Sequence, residues 1–324
     1  MDQDHYMKDM QVPQVNISDY TKHQTLPGEL QTVFRSLVSK LNVIAMTSRP
    51  DVLYKVKMLT SKYGSATKSE LSQAKKISEK IKKESTQMLI PNIGDLNKAV
   101  LVAVTDASTR HSGSVFSTGA QVIILLNKDT KAASVVHWQG TKISRVVSSS
   151  FAAECLALQS LCKTMYLVRE LLRDMLGETV KNIPGLVLTD CHDLYSAIHH
   201  LKGCKDYRLL SDVISIRQTI AEDNVFDELR FIHSASNIAD SMTKSSASGE
   251  ALLKILRTGV YDVPGGTQVR DSTLISARTW HQLMAVEGQQ GETQWTARHG
   301  TSTDIQNEKE LGDTHEKTKA VSDN

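Results

Sequence analysis

Four acidic residues, Asp106, Glu154, Asp190 and Asp240, fall where elements of secondary structure are expected to begin or end. The apolar run 99–104 passes through Thr105 into Asp106. The run Leu186-Val187-Leu188 passes through Thr189 into Asp190, the same Thr-Asp ending. Glu154 is expected in the first turn of a long helix over 151–176, and Asp240 at the start of the last helical region. Carboxylates gathered from separate elements suit a hard divalent cation such as Mg²⁺, which prefers oxygen ligands. Two such ions about 3.5–4 Å apart can clamp the attacking water and the leaving oxygen of a phosphodiester. Without a cation, the same acids would repel and their pKa values would rise. Taken singly, each acid also has a plain structural role. Aspartate is a common turn residue after a strand, and an acid near a helix start complements the helix dipole. What favours a joint role is the order of the elements that carry them.

Those elements read as follows. Helical spacing over 30–46 aligns Val33, Leu37, Leu41 and Ile44, and Pro50 opens a second helix carrying Val52, Val56 and Leu59. A third helix over 68–85 is strongly basic. Strands are expected at 99–104, 114–126 and 132–138, with the first buried on both faces. The long helix follows, with Ser149 or Ser150 as its cap and Phe151, Cys155, Leu158, Cys162, Met165 and Leu172 on one face. A strand at 186–188, two helices carrying Leu194 to Leu201 and Leu209 to Ile220, a strand at 229–233 and a helical region from 238 to about 257 complete the pattern. The result is an α/β chain with a five-stranded mixed sheet flanked by helices and preceded by a small helical segment. From Gly265 onward the composition turns to Gln, Thr, Gly, Ser and charge, a polar tail with at most a short helix near 278–285.

Composition narrows the function. The chain has 324 residues, 40% of them hydrophobic, with a formal net charge of +2. At roughly 150 residues per domain that is about two domains. The balance hides a segregation: residues 52–83 carry nine basic and two acidic residues, whereas 100–264 carry seventeen of each. The lysines of the basic helix, Lys75, Lys76, Lys82 and Lys83 among them, are candidates for gripping a nucleic-acid backbone. No apolar run is long enough for a membrane span, and the acidic N-terminus lacks a secretory pattern. Cys155, Cys162, Cys191 and Cys204 form no Cys-x-x-Cys pair, so a reducing intracellular setting, cytoplasmic or nuclear, is expected.

Several segments in order carry a family resemblance. They are Val104-Thr105-Asp106-Ala107, Lys142-Ile143-Ser144-Arg145-Val146 running into Ser149-Ser150-Phe151-Ala152-Ala153-Glu154, and Leu188-Thr189-Asp190-Cys191, then Asn237-Ile238-Ala239-Asp240-Ser241-Met242-Thr243-Lys244. Together they resemble the ribonuclease H domain of a copia-type retrotransposon polyprotein. Upstream, Phe34-Arg35-Ser36-Leu37-Val38, Ala45-Met46-Thr47-Ser48-Arg49-Pro50-Asp51 and Ala74-Lys75-Lys76 resemble the end of the adjoining reverse transcriptase. The resemblance divides the chain into an irregular leader (1–28), a helical reverse-transcriptase remnant (29–98), a ribonuclease H-like domain (99–262) and a tail (263–324). It implies a ribonuclease H-like fold and hydrolysis of the RNA strand of an RNA–DNA hybrid with two Mg²⁺ ions, or Mn²⁺ in their place. The family's acidic tetrad falls on Asp106, Glu154, Asp190 and Asp240. Asp106 is then expected to bridge both ions, Glu154 and Asp190 to hold the ion near the leaving 3′ oxygen, and Asp240 to help hold the ion that activates water. Substrate choice would rest on ribose 2′-hydroxyls read in the minor groove. No small-molecule cofactor is implied.

Other candidates carry less. Lys142 and Arg145 precede the catalytic helix and suit either a phosphate contact or an exposed basic pair. His233 reads as an ordinary strand-end histidine, and Cys191, His192, His199 and His200 as a solvated helix face without a second ligand pair. The polymerase palm and its paired aspartates are absent, so no DNA synthesis is expected. Where the family has a glycine after Ser-Leu-Val, this chain has Ser39-Lys40, which suggests relaxed packing there. The alternative to an enzyme is a catalytically silent nucleic-acid-binding remnant that holds its partner through the basic helix.

Overall fold

A computed structural model describes residues 6, 10, 20–84, 88–109, 116–177, 183–199, 206–221 and 225–265. Most of the leader, the whole tail beyond 265, Cys204 and His200 lie outside them. The described residues fall within one compact unit, 1–274.

Three helices come first: α1 (Gly28–Thr47), α2 (Leu53–Thr60), entered through a 3₁₀ turn at Pro50–Val52, and α3 (Lys68–Lys83). On α1, Phe34, Leu37, Val38, Leu41, Ile44 and Ala45 recur at helical spacing and are buried. Ser39 and Lys40 sit within this unbroken helix. Ser39 is exposed with its hydroxyl 3.1 Å from that of Tyr63, while its neighbours Leu37 and Val38 are buried, so the packing there is not relaxed. A capping box joins Thr67 and Glu70 at the start of α3, and Lys80, Lys82 and Lys83 complement the dipole at its end.

The sheet follows: β1 (Ala99–Ser108), β2 (Thr118–Asn127) and β3 (Ala133–Lys142), then α4 (Ser150–Leu176), β4 (Gly185–Thr189), α5 (His192–His199), α6 (Tyr207–Ala221) and β5 (Glu228–Phe231). The strand order is β3-β2-β1-β4-β5. β1 runs antiparallel to β2 and parallel to β4, and β4 parallel to β5. A 3₁₀ turn at Asp240–Met242 and the helix α7 (Glu250–Thr258) end the described fold, with Gly259 in the left-handed conformation (φ +62°) as the cap of α7.

Three expectations shift. β1 continues to Ser108, so Asp106 lies inside the strand rather than after it. It is buried there, paired across the ladder with Ala120. Glu154 sits just past the first turn of α4, because Ser149 is the cap and accepts the Ala152 N–H at 3.1 Å. Asp240 does not open a long helix. Its 3₁₀ turn spans three residues, and α7 begins at Glu250 beyond Gly249, whose missing side chain leaves room for Asp51.

The upstream helices and the sheet share a core. Val100, Val102 and Val104 of β1, Val122 and Ile124 of β2, and Leu186 and Leu188 of β4 pack into one buried cluster with α1, α2, α3 and α7. Trp138 of β3 donates its indole N–H to the Ala45 carbonyl at 3.1 Å. The fully buried Arg49 holds Asp51 through two bonds of 2.8 and 2.9 Å and the Glu84 carbonyl at 2.8 Å, tying the end of α1 to that of α3. Elsewhere α4 packs on β1 through small residues: Ala152, Ala153 and Ala157 meet Ala107.

Candidate active site

The parallel register of β1 and β4 sets Val104 opposite Leu188. Two residues further along each strand, Asp106 and Asp190 therefore arrive side by side at the carboxyl ends of adjacent parallel strands, where α/β sheets commonly place their ligands. The alanines of α4 allow a close approach to β1, and Glu154 reaches across to accept the Ala107 N–H at 3.1 Å. One carboxylate oxygen from each of Asp106, Glu154 and Asp190 can be chosen so that all lie within 4.8 Å of one another. The second oxygen of Glu154, Oε2, is buried and has no hydrogen-bond partner.

The segment 237–244 closes the site. The Asn237 amide nitrogen donates to the Thr105 carbonyl at 3.1 Å, to Asp106 Oδ1 at 3.3 Å and to Asp190 Oδ1 at 3.1 Å. Its oxygen accepts the Ala239 N–H at 3.0 Å, which fixes the turn leading to Asp240. The Thr243 hydroxyl donates to Asp106 Oδ2. Lys244 bonds the Asp240 carboxylate and lies 3.5 Å from Asp106 Oδ1. Asp240 thus neighbours the three clustered acids across this ammonium. Asn237, Thr243 and Lys244 were not expected as site residues. The signal for them was their place in the same eight-residue motif as Asp240.

Burial dominates the electrostatics. It pushes the Asp106 carboxyl up to about 7, against the Thr243 hydrogen bond and the Lys244 charge and with help from Asp190 and Asp240. Glu154 is pushed up to about 9, first by burial and then by the charges of Asp106 and Asp190. For Lys244, burial opposes the charge, but the bond to Asp240 and the carboxylates of Asp106, Asp240 and Asp190 outweigh it and hold the ammonium above the usual lysine range. A cluster of buried acids with an unpartnered oxygen is what a hard divalent cation would satisfy. The residues present therefore fit a divalent metal ion, which Asp106, Glu154 and Asp190 could hold.

The predicted basic residues make their own contacts with other groups. Lys142 sits over the Phe116 ring, 2.9 Å from its centroid. Arg145 pairs with Asp212 at 2.7 Å and remains half exposed. Both line a cleft of about 210 Å³ together with Gln139, Gln159 and Ser160 of neighbouring β3 and α4. On α3, Lys76, Lys82 and Lys83 are exposed and Lys75 is half-buried. His233 caps the turn Ser234–Ser236, its Nδ1 accepting the Ala235 N–H at 3.1 Å. His192 meets the edge of Phe231, and His199 stacks on Tyr195. Burial pushes the Cys191 thiol up to about 11. Among the described residues, the Cys191 and histidine group gathers no metal-binding set.

A strand order of β3-β2-β1-β4-β5, with the long helix after three antiparallel strands and parallel β1, β4 and β5, defines a ribonuclease H-like fold. No family model and no curated protein matches the chain. Among solved structures it is similar to the ribonuclease H1 LC11-RNase H1, isolated from compost by a metagenomic approach and crystallised with an RNA/DNA hybrid. That match has 18% identity and a TM-score of 0.33, covering 47% of this chain and 99% of that one. The ribonuclease H1 of Halobacterium salinarum is similar at 17% identity over 47% of this chain and 96% of that one, with a TM-score of 0.30. The prototype foamy virus protease-reverse transcriptase is similar at 18% identity over 56% of this chain and 23% of that one, with a TM-score of 0.32.

Proposed function

We propose that this chain is a ribonuclease H of copia-type retrotransposon origin that hydrolyses the RNA strand of an RNA–DNA hybrid with Mg²⁺. The observation that carries this reading is the convergence of Asp106, Glu154 and Asp190, with one Glu154 oxygen buried and unpartnered. When bound, divalent ions supply activation of the attacking water and neutralisation of the leaving oxygen. Asp106, Glu154 and Asp190 would hold an ion that neutralises the leaving oxygen, and Asp106 with Asp240 would help hold one that activates the water. Asn237 orients Asp106 and Asp190 together, and Thr243 holds the far oxygen of Asp106. The exposed lysines of α3 add a charged, sequence-independent contact to the backbone.

A labelled hybrid incubated with the full chain and Mg²⁺ is expected to be cut, leaving 5′-phosphate and 3′-hydroxyl ends. Asp190→Asn is expected to lower the rate by more than the roughly 10–100-fold that loss of an outer-shell partner of a metal ligand costs. No cleavage, or equal cleavage by Asp190→Asn, would refute the enzyme. Hybrid binding without cleavage would leave the silent nucleic-acid-binding remnant as the function.

A further inference from the structure

The acidic site contains its own cation. Lys244 follows Asp240 by four residues, and its position is set by backbone as well as charge. Its N–H donates to the Asp240 carbonyl at 3.0 Å, and the Thr243 N–H to the same carbonyl at 3.1 Å. Asn237 pins the start of the segment to β1 through the Thr105 carbonyl. The Thr118 hydroxyl on β2 donates to the Thr243 carbonyl at 3.4 Å, which anchors its end. The ammonium is thereby delivered between Asp240 Oδ1 and Asp106 Oδ1. The other side of the cluster is different. There Glu154 Oε2 is buried and unpartnered, and Asp106, Glu154 and Asp190 close on one another. Of the two places in which four carboxylates would seat cations, one carries the unpartnered Glu154 oxygen beside the Asn237 amide, and the other holds an ammonium.

We infer that Lys244 supplies the second positive charge of this site in the substrate-free protein, so that the chain takes a single divalent ion, at Asp106, Glu154 and Asp190. This rests on the metal-dependent reading above and sharpens its stoichiometry. A divalent ion seated between Asp106 and Asp240 would meet the ammonium at close range, and like charges at that range repel strongly in a partly buried site. Lys244 must leave before that place is filled. A phosphate of the bound nucleic acid is the anion that would draw it out, because an ammonium binds phosphate well as a point charge. Lys244 is thus a positioning residue for the acids at rest and a gate on the second ion.

The test is a Mn²⁺ titration of the full chain without nucleic acid, read by electron paramagnetic resonance, which counts bound ions and reports coupling between neighbouring spins. The wild type is expected to bind one ion with an uncoupled spectrum. Lys244→Met is expected to bind two with a spin-coupled signal, its second site at least about tenfold tighter than any second site in the wild type. Lys244→Gln, which keeps a polar chain without the charge, is read in parallel and is expected to behave as Lys244→Met. Two ions in the wild type, or a single ion in whichever neutral variant folds, would overturn the role given to Lys244 and leave the nuclease reading standing. No ion in the wild type, with Glu154→Gln making no difference, would overturn both.

Discussion

Glu154 shows how a single side chain couples the site to the stability of the whole fold. Its carboxyl is pushed up to about 9 in the folded chain, from an ordinary value of 4.5, because burial and the charges of Asp106 and Asp190 disfavour the anion. Between those two values the folded state holds a proton that the unfolded state has released. Stability therefore falls as pH rises through this window, and the contribution is fully present only below the unfolded pKa. Asp106, pushed up to about 7, acts in the same direction over the lower part of the window. Without divalent ion, the melting temperature is expected to fall between about pH 5 and pH 9, more gently in Glu154→Gln. Added Mn²⁺ is expected to restore stability most at the alkaline end, where the carboxylates are ionised and able to ligate. A melting temperature that rises with pH in the absence of metal would refute this assignment.

At the scale of elements, the site depends on how closely α4, β4 and the 237–244 segment approach β1. Gly185 opens β4, and a side chain there would lie 2.7 Å from Met165 Cε of α4 and 2.8 Å from the Phe226 Cα. The second neighbour is backbone and cannot turn aside. Gly185→Ala is expected to destabilise the chain by about 1–3 kcal/mol through overpacking, read as a lower denaturation midpoint with an unchanged slope. A neutral result would mean that β4 shifts freely. The upstream helices enter the same structure from the other side. A side chain on Gly140 of β3 would lie 3.2 Å from Leu53 of α2 and 3.3 Å from the Met242 carbonyl, so α2, β3 and the Asp240 turn are mutually packed. Helical spacing made α1 and the buried face of α4 readable, since Leu37, Leu41 and Ile44, and Cys155, Leu158, Cys162 and Met165, are buried as expected. The 3₁₀ turn at Asp240–Met242 was not readable as such. Three residues carry no period, and its geometry is set by the Asn237 bonds to β1.

For the molecule as a whole, the basic segment and the sheet are joined by a common core. Leu53, Val56, Leu59, Leu71, Ala74, Ile77 and Ile81 of residues 52–83 are buried in the cluster that includes Val102, Val104 and Leu188. Deleting that segment would expose the sheet, so its part in binding has to be separated from its part in folding by surface substitution. Replacing the exposed Lys76, Lys82 and Lys83 with Gln is expected to weaken hybrid binding and to lower the salt slope by about 0.9 for each phosphate no longer neutralised, while the melting temperature stays nearly unchanged. An unchanged salt slope would remove α3 from the nucleic-acid interface. The near-neutral total charge conceals this arrangement, because the excess of lysine on α3 is balanced elsewhere in the chain.

Local pattern was enough for the order of strands and helices, for the Thr-Asp pair that closes β4 and for the choice of the four acids as candidates, since apolar period and turn chemistry act over a few residues. It also carried the segregation of charge. Tertiary structure decided what those acids become. Asp106 and Asp190 are 84 residues apart in sequence and meet through the parallel register of β1 and β4. Glu154 is drawn in by alanine packing between α4 and β1. The burial that raises both Asp106 and Glu154 comes from elements distant in the chain, as does the anchoring of Asn237 on Thr105 that brings Lys244 to Asp106. Distances between side chains on different elements follow from strand pairing and core packing, and neither is a property of any single segment.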